Sequence, residues 1–215
     1  MTRVKICGIT SSADARASVD LGAWAVGLIF WPSSPRLCAV EDAELIGAEL
    51  HRHAEVARVF VNATLDEVAS TADRCGLTLL QLHGDEGPAY CREAARRTGC
   101  KVMKAARVRD AAQVRALQPF HTDFHLLDAH SLHSPGGTGQ SFDWALTKLH
   151  VGDPPLVLSG GLTADNVAEA ITATRPFAVD TASGTEAEPG RKDPAKLAAF
   201  FQAVASADAR MGAPA

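Results

Sequence analysis

The sequence predicts an α/β protein of the (β/α)8 TIM-barrel class, folded as a single compact domain. Short apolar runs rich in Val, Ile and Leu recur along the chain, as expected for strands buried on both faces of a parallel sheet. Amphipathic stretches with helix-end signals separate these runs, and no linker or low-complexity segment interrupts the alternation. The length of 215 residues fits one barrel near the lower size limit of this fold.

Eight apolar runs are the predicted strands, and their even spacing favours a closed barrel over the alternative, an open doubly wound sheet. The runs are VKIC (4–7), AVGLIF (25–30), VARVFV (56–61), TLLQLH (78–83), KVMKAA (101–106), FHLLDA (124–129), PLVLSG (155–160) and FAVDTA (177–182).

Helices are predicted between the strands, with Gly22 as a C-cap signal after the first and Thr64 with Glu67 as a capping box. The predicted helices are 10–21, 41–53, 65–75, 86–98, 109–118, 141–149, 164–173 and 193–207. We therefore expect the barrel to occupy residues 1–207 and residues 208–215 to form a frayed tail.

Composition excludes several classes of protein. Lys and Arg number 21 against 25 Asp and Glu, a net charge of −4 with no basic run, which argues against nucleic-acid binding. No apolar stretch is long enough for a membrane span, and the amino terminus lacks the pattern of a signal peptide. The odd set of five cysteines, without a CxxC pair, predicts a reduced, cytoplasmic chain. The lack of an obvious apolar patch favours a monomer.

Histidines do not predict a metal site. His51 with His53, and His130 with His133, are pairs that lack a third ligand. We therefore expect no metal.

In a barrel of this class the active site lies at the carboxyl ends of the strands, on the loops that follow them. Chemically useful side chains at these ends are Cys7, Arg36, His83, Asp128 and Asp180. Arg36 has the planar fork that suits a carboxylate. Asp180 is placed to orient a substrate hydroxyl or to pair with an interior lysine.

Cys7 and Asp128 are the predicted base and acid. Strand alternation points Lys5 and Cys7 into the barrel and leaves Val4 and Ile6 facing the helices. A thiol has a pKa of about 8.5, and a nearby ammonium raises its ionised fraction. A carboxyl group partly withdrawn from water keeps its proton more readily, which suits a general acid. The alternatives are an inert buried thiol and a carboxylate held in a structural ion pair.

Two adjacent loops predict a phosphate site. SGGLTADN (159–166) follows the seventh strand with a glycine pair and opens a helix, and TASGTE (181–186) repeats the arrangement after the eighth. Phosphate sites in these barrels are usually built there, from backbone N–H groups that glycine leaves accessible. The predicted phosphate ligands are Gly160, Gly161, Ser183 and Gly184.

Segments carrying a family resemblance run in order along nearly the whole chain. They are KICGIT (5–10), GLIFWPSSPR (27–36), VFVN (59–62), LQLHGDE (80–86), LLDA (126–129), GGTGQSFDW (136–144), SGGLTADNV (159–167) and VDTASGTEAEPGRKD (179–193). Together they resemble the phosphoribosylanthranilate isomerase family of tryptophan biosynthesis. The combination of KICG with GGTGxxFDW is the most specific part.

The resemblance implies an Amadori rearrangement of N-(5′-phosphoribosyl)anthranilate that needs no cofactor. It implies that Asp128 protonates the ribose ring oxygen and that Cys7 removes the C2′ proton. Arg36 matches the family residue that holds the anthranilate carboxylate, Asp180 matches an acidic position beside the substrate, and the two loops match the family's phosphate site. We also expect His83, the one histidine at a predicted strand end, to bind the substrate.

Departures from the family pattern are small. Thr181, Ala182 and Thr185 differ from the usual DVSSGVE, Leu37 stands where an aromatic residue is common, and Gln140 where a basic one is frequent. Two other functions stay open: a bifunctional isomerase that also accepts the histidine-pathway aminoaldose, and a non-catalytic binder of a phosphorylated metabolite. The bifunctional isomerase needs a second phosphate site and normally a carboxylate as its base. Cys7 at the position of the base argues against that activity.

Overall fold

The computed structural model describes residues 1–129 and 144–212, and these residues form the predicted barrel. The strands are β1 (Arg3–Ile9), β2 (Ala25–Ile29), β3 (Glu55–Phe60), β4 (Leu79–Leu82), β5 (Lys101–Val108), β6 (Phe124–Ala129), β7 (Leu156–Ser159) and β8 (Ala178–Thr181). They pair in parallel in sequence order, and β1 also pairs with β8, so the sheet closes on itself. Each strand coincides closely with a predicted run, and the predicted fold class is confirmed.

Helices cover the outside of the barrel. They are α1 (Ser12–Asp20), α2 (Val40–Leu50), α3 (Leu65–Arg74), α4 (Pro88–Thr98), α5 (Ala111–Arg115), α6 (Val167–Thr174) and α7 (Pro194–Gly212). The Thr64 hydroxyl accepts a hydrogen bond from the Glu67 N–H, as the capping-box pattern predicts. Short 3₁₀ helices lie at Trp144–Leu149 and Ser183–Thr185.

Two predicted helices differ from the structure. The stretch predicted at 109–118 is helical only over Ala111–Arg115, where Asp110 and Gln113 form a capping box. The one predicted at 141–149 is a 3₁₀ helix from Trp144, and its first predicted residues lie outside the described part of the chain. Both are short segments, in which tertiary packing decides helix type more than propensity does.

The carboxyl-terminal helix extends further than the sequence indicates. α7 reaches Gly212, and the Asp208 carboxylate accepts hydrogen bonds from the Thr2 backbone N–H at 2.6 Å and hydroxyl at 2.8 Å. Residues 208–212 of the expected frayed tail are therefore helical, and 208 is tied to the amino terminus. Residues 213–215 lie outside the described residues.

A small hairpin after the barrel was not predicted. Its strands are β9 (Glu186–Glu188) and β10 (Arg191–Lys192), which pair antiparallel. Gly190 supplies the turn with a φ of +84°, a conformation that glycine adopts without steric penalty.

Strand alternation divides the core into two layers. Val4 and Ile6 face the helices and belong to the larger apolar cluster, whereas a smaller cluster of apolar side chains fills the barrel interior. These interior residues are Ala57, Leu79, Met103, Ala105, Phe124, Leu126, Val157 and Ala178. At the amino-terminal end, the rings of Trp24, Phe124 and Phe177 lie 5.0–5.3 Å apart and fill the bottom of the barrel.

Candidate active site

Cys7 and Lys5 lie side by side in the barrel interior, in agreement with the direction predicted from strand alternation. A β-carbon placed on Gly27 of β2 would lie 2.8 Å from Cys7 Sγ and 3.0 Å from Lys5 Nζ. The missing side chain of Gly27 thus leaves the space that both groups use. Cys7 is 7% exposed and Lys5 is fully buried.

Asp180 neutralises the buried ammonium. Lys5 Nζ donates to Asp180 Oδ1 at 2.9 Å, and the second carboxylate oxygen accepts from the Ser159 hydroxyl at 3.4 Å. Burial lowers the pKa of Lys5, but the neighbouring Asp180 carboxylate outweighs this and holds the pKa above its usual value. Lys5 therefore stays charged beside the thiol. Of the two roles expected for Asp180, pairing with an interior lysine is the one seen.

The Cys7 thiol lies in a field of mixed charges. Burial raises its pKa, Lys5 and Lys192 oppose that rise, and Asp180 adds to it, so the net pKa is above that of a free thiol. Two cations within reach of a buried sulfur stabilise its thiolate form relative to burial alone.

Asp128 lies near the end of β6, half-buried, with Oδ2 3.5 Å from His83 Nε2. The other ring nitrogen of His83, Nδ1, is 3.3 Å from the side-chain amide of Gln81, one pleat below on β4. When this amide donates to Nδ1, the ring carries its proton on Nε2 and presents it to Asp128. Gln81, 2% exposed, was not singled out in the sequence, although its inward position follows from the same alternation as that of Cys7.

Arg36 forms a bidentate ion pair with Glu186 instead of presenting a free fork. Its Nε and Nη2 donate to Glu186 Oε1 and Oε2 at 2.8 and 2.7 Å. This hydrogen bonding raises the pKa of Arg36 despite partial burial. The Arg36 side chain also packs over the backbone of Gly8, directly after Cys7.

Lys192 is a second buried lysine beside Cys7, and no periodic pattern in the sequence predicts it. Its Nζ donates to the backbone carbonyls of Cys7 at 2.7 Å and Ala182 at 3.0 Å, and to Glu186 Oε1 at 3.3 Å. Glu186 and Lys192 both fall within the segment that carries the family resemblance, which was the available indication.

The predicted phosphate loops pack against each other. Gly160 and Gly161 have φ angles of +101° and +66°, and a β-carbon on Gly161 would meet no atom within 4 Å. Gly184 lies against the carbonyl of Leu162, where a β-carbon would approach within 2.0 Å. Within the described part of the chain, the backbone N–H groups of Gly161, Ser183 and Gly184 donate to no other group. They are available to an anion.

A family model described as N-(5′-phosphoribosyl)anthranilate isomerase matches residues 4–203. The chain belongs to the N-(5′-phosphoribosyl)anthranilate isomerase family. The expected family, enzyme class and place in tryptophan biosynthesis are confirmed by this match and by the relatives described next.

Relatives in the phosphoribosylanthranilate isomerase family are similar over nearly their whole length. The protein of that name from Citrifermentans bemidjiense is 50% identical over 197 residues, which is 92% of this chain and 94% of the relative. A crystal structure of the isomerase from Thermotoga maritima is 40% identical with a TM-score of 0.84, covering 96% of this chain and all of that one (100%). A second crystal structure holds reduced 1-(o-carboxyphenylamino)-1-deoxyribulose 5-phosphate; it is 39% identical with a TM-score of 0.81, and the match covers 96% of this chain and 100% of that one.

Two cavities open at the carboxyl ends of β2 to β5, away from the phosphate loops. A cavity of about 580 Å³ is lined by Trp31, Arg58, His83 and Arg107 among others, and a second of about 540 Å³ shares His83 and Arg107. Both volumes are in the range of small-molecule sites.

Some predictions fall on residues that the structure does not describe. The GGTG sequence at 136–139, Gln140, His130 and His133 lie outside the described residues, so the second phosphate site of a bifunctional isomerase is not tested. Within residues 1–129 and 144–212, no three His, Cys, Asp or Glu side chains converge on a point where a metal could bind. No helix in those ranges combines the length and apolar character needed to span a bilayer.

Proposed function

We propose that the chain converts N-(5′-phosphoribosyl)anthranilate to 1-(2-carboxyphenylamino)-1-deoxyribulose 5-phosphate with Cys7 as general base and Asp128 as general acid, without a cofactor. The observation that carries this assignment is the placement of a thiol and a carboxyl group at the carboxyl ends of β1 and β6 of one barrel. One strand end supplies a proton acceptor and another supplies a proton donor to the same mouth.

Asp128 acts first in this scheme. It donates a proton to the ribose ring oxygen as the C1′–O bond breaks, and the anthranilate nitrogen supplies the electron pair that forms the C1′ iminium. His83, whose Nε2 faces the Asp128 carboxylate at 3.5 Å, orients the acid. Its position at the cavity wall also supports the predicted contact with substrate.

Cys7 acts second. The iminium acidifies the C2′ proton, the thiolate removes it, and the resulting enolamine tautomerises to the aminoketone. The ammonium of Lys5 beside the sulfur stabilises the thiolate, and the Asp180 carboxylate keeps Lys5 charged. In this proposal Asp180 is a substrate-binding residue through the ribose hydroxyls as well as a partner of Lys5.

Recognition of the substrate's two ends completes the scheme. The N–H groups of Gly160, Gly161, Ser183 and Gly184 bind the phosphate. This is supported by the unpaired N–H groups of Gly161, Ser183 and Gly184 and by the open space beside Gly161. Arg36 binds the anthranilate carboxylate. Because Nε and Nη2 already donate to Glu186, the substrate carboxylate either displaces one Glu186 oxygen or accepts a hydrogen bond from Nη1. We expect the protein to be a monomer. All five cysteines are free, which supports the expectation of a reducing, cytoplasmic environment.

Separate substitution of the two groups tests the assignment. Cys7→Ser and Asp128→Asn should each lower kcat by about 10²-fold or more, since a positioned acid or base typically contributes 10²–10⁴-fold. With substrate deuterated at C2′, Cys7→Ser should show a larger isotope effect than wild type, because proton abstraction becomes slower, whereas Asp128→Asn should not. Fluorescence loss of the substrate measures both.

A matched control is Cys91→Ser, which changes another buried cysteine, on α4. It should leave kcat within about threefold of wild type. If Cys7→Ser and Asp128→Asn also stay within threefold, the two residues are not the base and acid.

A further inference from the structure

We propose that Lys192 is a positioning residue that joins the catalytic strand β1 to the phosphate loop after β8 and sets the ionisation of Cys7. The inference rests on the proposed function, in which Cys7 is the base. Lys192 lies on a two-residue strand outside the barrel, yet its side chain is buried against the barrel rather than exposed to solvent.

The contacts of Lys192 account for all three of its donors. Nζ bonds to the carbonyl of Cys7 at 2.7 Å, the carbonyl of Ala182 at 3.0 Å and Glu186 Oε1 at 3.3 Å. The side chain is 0% exposed. One ammonium therefore fixes the backbone of the proposed base and the residue that precedes the phosphate ligands Ser183 and Gly184.

The hairpin has the geometry to deliver this ammonium. Lys192 and Glu186 are directly opposed across β9 and β10, so the counter-charge lies on the neighbouring strand. Glu186 also holds Arg36 in a bidentate pair. Glu186 thus connects Arg36, which is proposed to bind the anthranilate carboxylate, with Lys192, which holds the backbone of Cys7.

Charge at Lys192 acts on the thiol directly. The charged groups that face Cys7 are Lys5 on its own strand, Asp180 on β8, Lys192 on β10 and Arg36 on the loop after β2, with Glu186 behind the last two. Lys192 lowers the pKa of Cys7, opposing the effect of burial. Burial lowers the pKa of Lys192 itself, and Glu186 counteracts this. Removal of the Lys192 charge should therefore leave the thiolate harder to form.

Lys192→Met keeps most of the side-chain volume and removes the charge. The rate of Cys7 alkylation by iodoacetamide, followed against pH by mass spectrometry of its peptide, should titrate at least about half a pH unit higher than in wild type. The break in the kcat/KM profile that belongs to the thiol should move equally, kcat should fall about tenfold, and KM should rise because the phosphate loop loses its tie.

Lys104→Met is the matched control. Lys104 is also a buried lysine, bonded to Glu86 at 2.8 Å and to the carbonyls of Leu82 and Gly84 at 3.3 and 2.6 Å, but it lies on β5. It should lower the Tm as Lys192→Met does while leaving the Cys7 titration unchanged. An equal titration shift in both variants would make the effect of Lys192 a general consequence of instability and overturn the inference.

Lys192→Arg separates charge from geometry and serves if Lys192→Met does not fold. It should keep the Cys7 titration close to wild type and still lower kcat/KM at least about tenfold, because a guanidinium cannot reproduce the three contacts of one nitrogen. A wild-type kcat/KM in Lys192→Arg overturns the positioning role. If Lys192→Met shifts the Cys7 titration but not the pH profile of kcat/KM, Cys7 is not the base. The effect of Lys192 on the ionisation of Cys7 would still stand.

Discussion

Gly27 is the residue on which the placement of Cys7 and Lys5 depends. Its backbone angles are ones that any residue can adopt, so glycine is needed here for a different reason: a β-carbon at this position would collide with Cys7 and Lys5. Protein interiors are packed too tightly to absorb such a carbon without displacement. The thiol and the ammonium would have to move, or β1 and β2 would have to separate.

Gly27→Ala should therefore lower kcat at least about tenfold and destabilise the fold by about 1–3 kcal/mol, the usual penalty for overpacking. Kinetics and urea unfolding measure the two effects. Gly87→Ala is the control, because a β-carbon there meets nothing within 4 Å and Gly87 has a negative φ of −81°. Wild-type turnover in Gly27→Ala would show that the sulfur position is not constrained from this side.

Residue pairs were predictable where strand register fixes them and not elsewhere. Lys5 and Asp180 are register partners on adjacent strands of a closed barrel, so their pairing followed once the strands were assigned. Arg36 and Glu186 are 150 residues apart. Arg36 lies on a loop and Glu186 begins a three-residue strand, and no periodicity specifies the path of either segment. The sequence therefore predicted Arg36 as a binding residue and missed the carboxylate that occupies its fork.

The two phosphate loops act as one element. Thr181 donates its hydroxyl to the carbonyl of Leu162 at 2.7 Å, and Gly184 packs on the same carbonyl. Asn166 fixes the first loop by donating to the Gly161 carbonyl at 3.0 Å and accepting from the Thr163 N–H at 2.9 Å. Their N–H groups are thus held in place before an anion arrives, which reduces the entropy lost on binding.

Gly161→Val should raise KM at least about tenfold with a smaller change in kcat, since the side chain fills the open space above the loop where the phosphate would approach. Substrate kinetics and thermal unfolding measure the outcome.

Gly99→Val separates strain from blocking. Gly99 has a φ of +69°, close to the +66° of Gly161, and its β-carbon would also meet nothing within 4 Å. Both valines should lower stability similarly, by about 1–2 kcal/mol for a strained left-handed residue, but Gly99→Val should leave KM unchanged. A rise in KM common to both would remove the phosphate interpretation.

Elements with strong patterns were predictable and short ones were not. The strands carry apolar runs flanked by capping signals, which identify an alternating α/β chain directly. The β9–β10 hairpin has strands of three and two residues, too short to show any period, and is held by the buried Glu186–Lys192 pair. Helix α5 is shorter than predicted because the pattern over 109–118 continues beyond the residues that pack helically.

At the scale of the whole molecule, the contact between buried His125 and partly buried His150 limits stability in acid. His125 Nε2 donates to the Phe120 carbonyl at 2.9 Å, and Nδ1 accepts from His150 Nε2 at 2.9 Å. Burial, together with the nearby His150 and His121, lowers the pKa of His125 to about 4, although the hydrogen bond to the Phe120 carbonyl opposes this. A proton added at Nδ1 would meet the N–H of His150.

The sign of the pH effect follows from these values. In the unfolded chain His125 titrates near pH 6.5, so between about pH 6.5 and 4 the unfolded state binds more protons than the folded state. The free energy of unfolding should therefore fall as the pH drops through this window, by on the order of 2 kcal/mol from this residue. Urea unfolding at pH 7 and pH 4.5 measures the change.

His125→Gln should make that pH dependence shallower, although the variant is less stable at pH 7. His53→Gln, at an exposed position, should show the same slope as wild type. Equal slopes in all three proteins would mean that His125 does not account for the loss of stability in acid.

The aromatic cluster of Trp24, Phe124 and Phe177 determines by which end of the barrel substrate can enter and product can leave. Within the described residues it seals the amino-terminal end of the barrel, with the Arg3 guanidinium 4.8 Å from the Phe177 ring centroid. A reactant that enters between the strand ends has no rear exit and must depart by the way it came. Substrate and product therefore use the same opening in every turnover, and product must leave it before the next substrate molecule can bind.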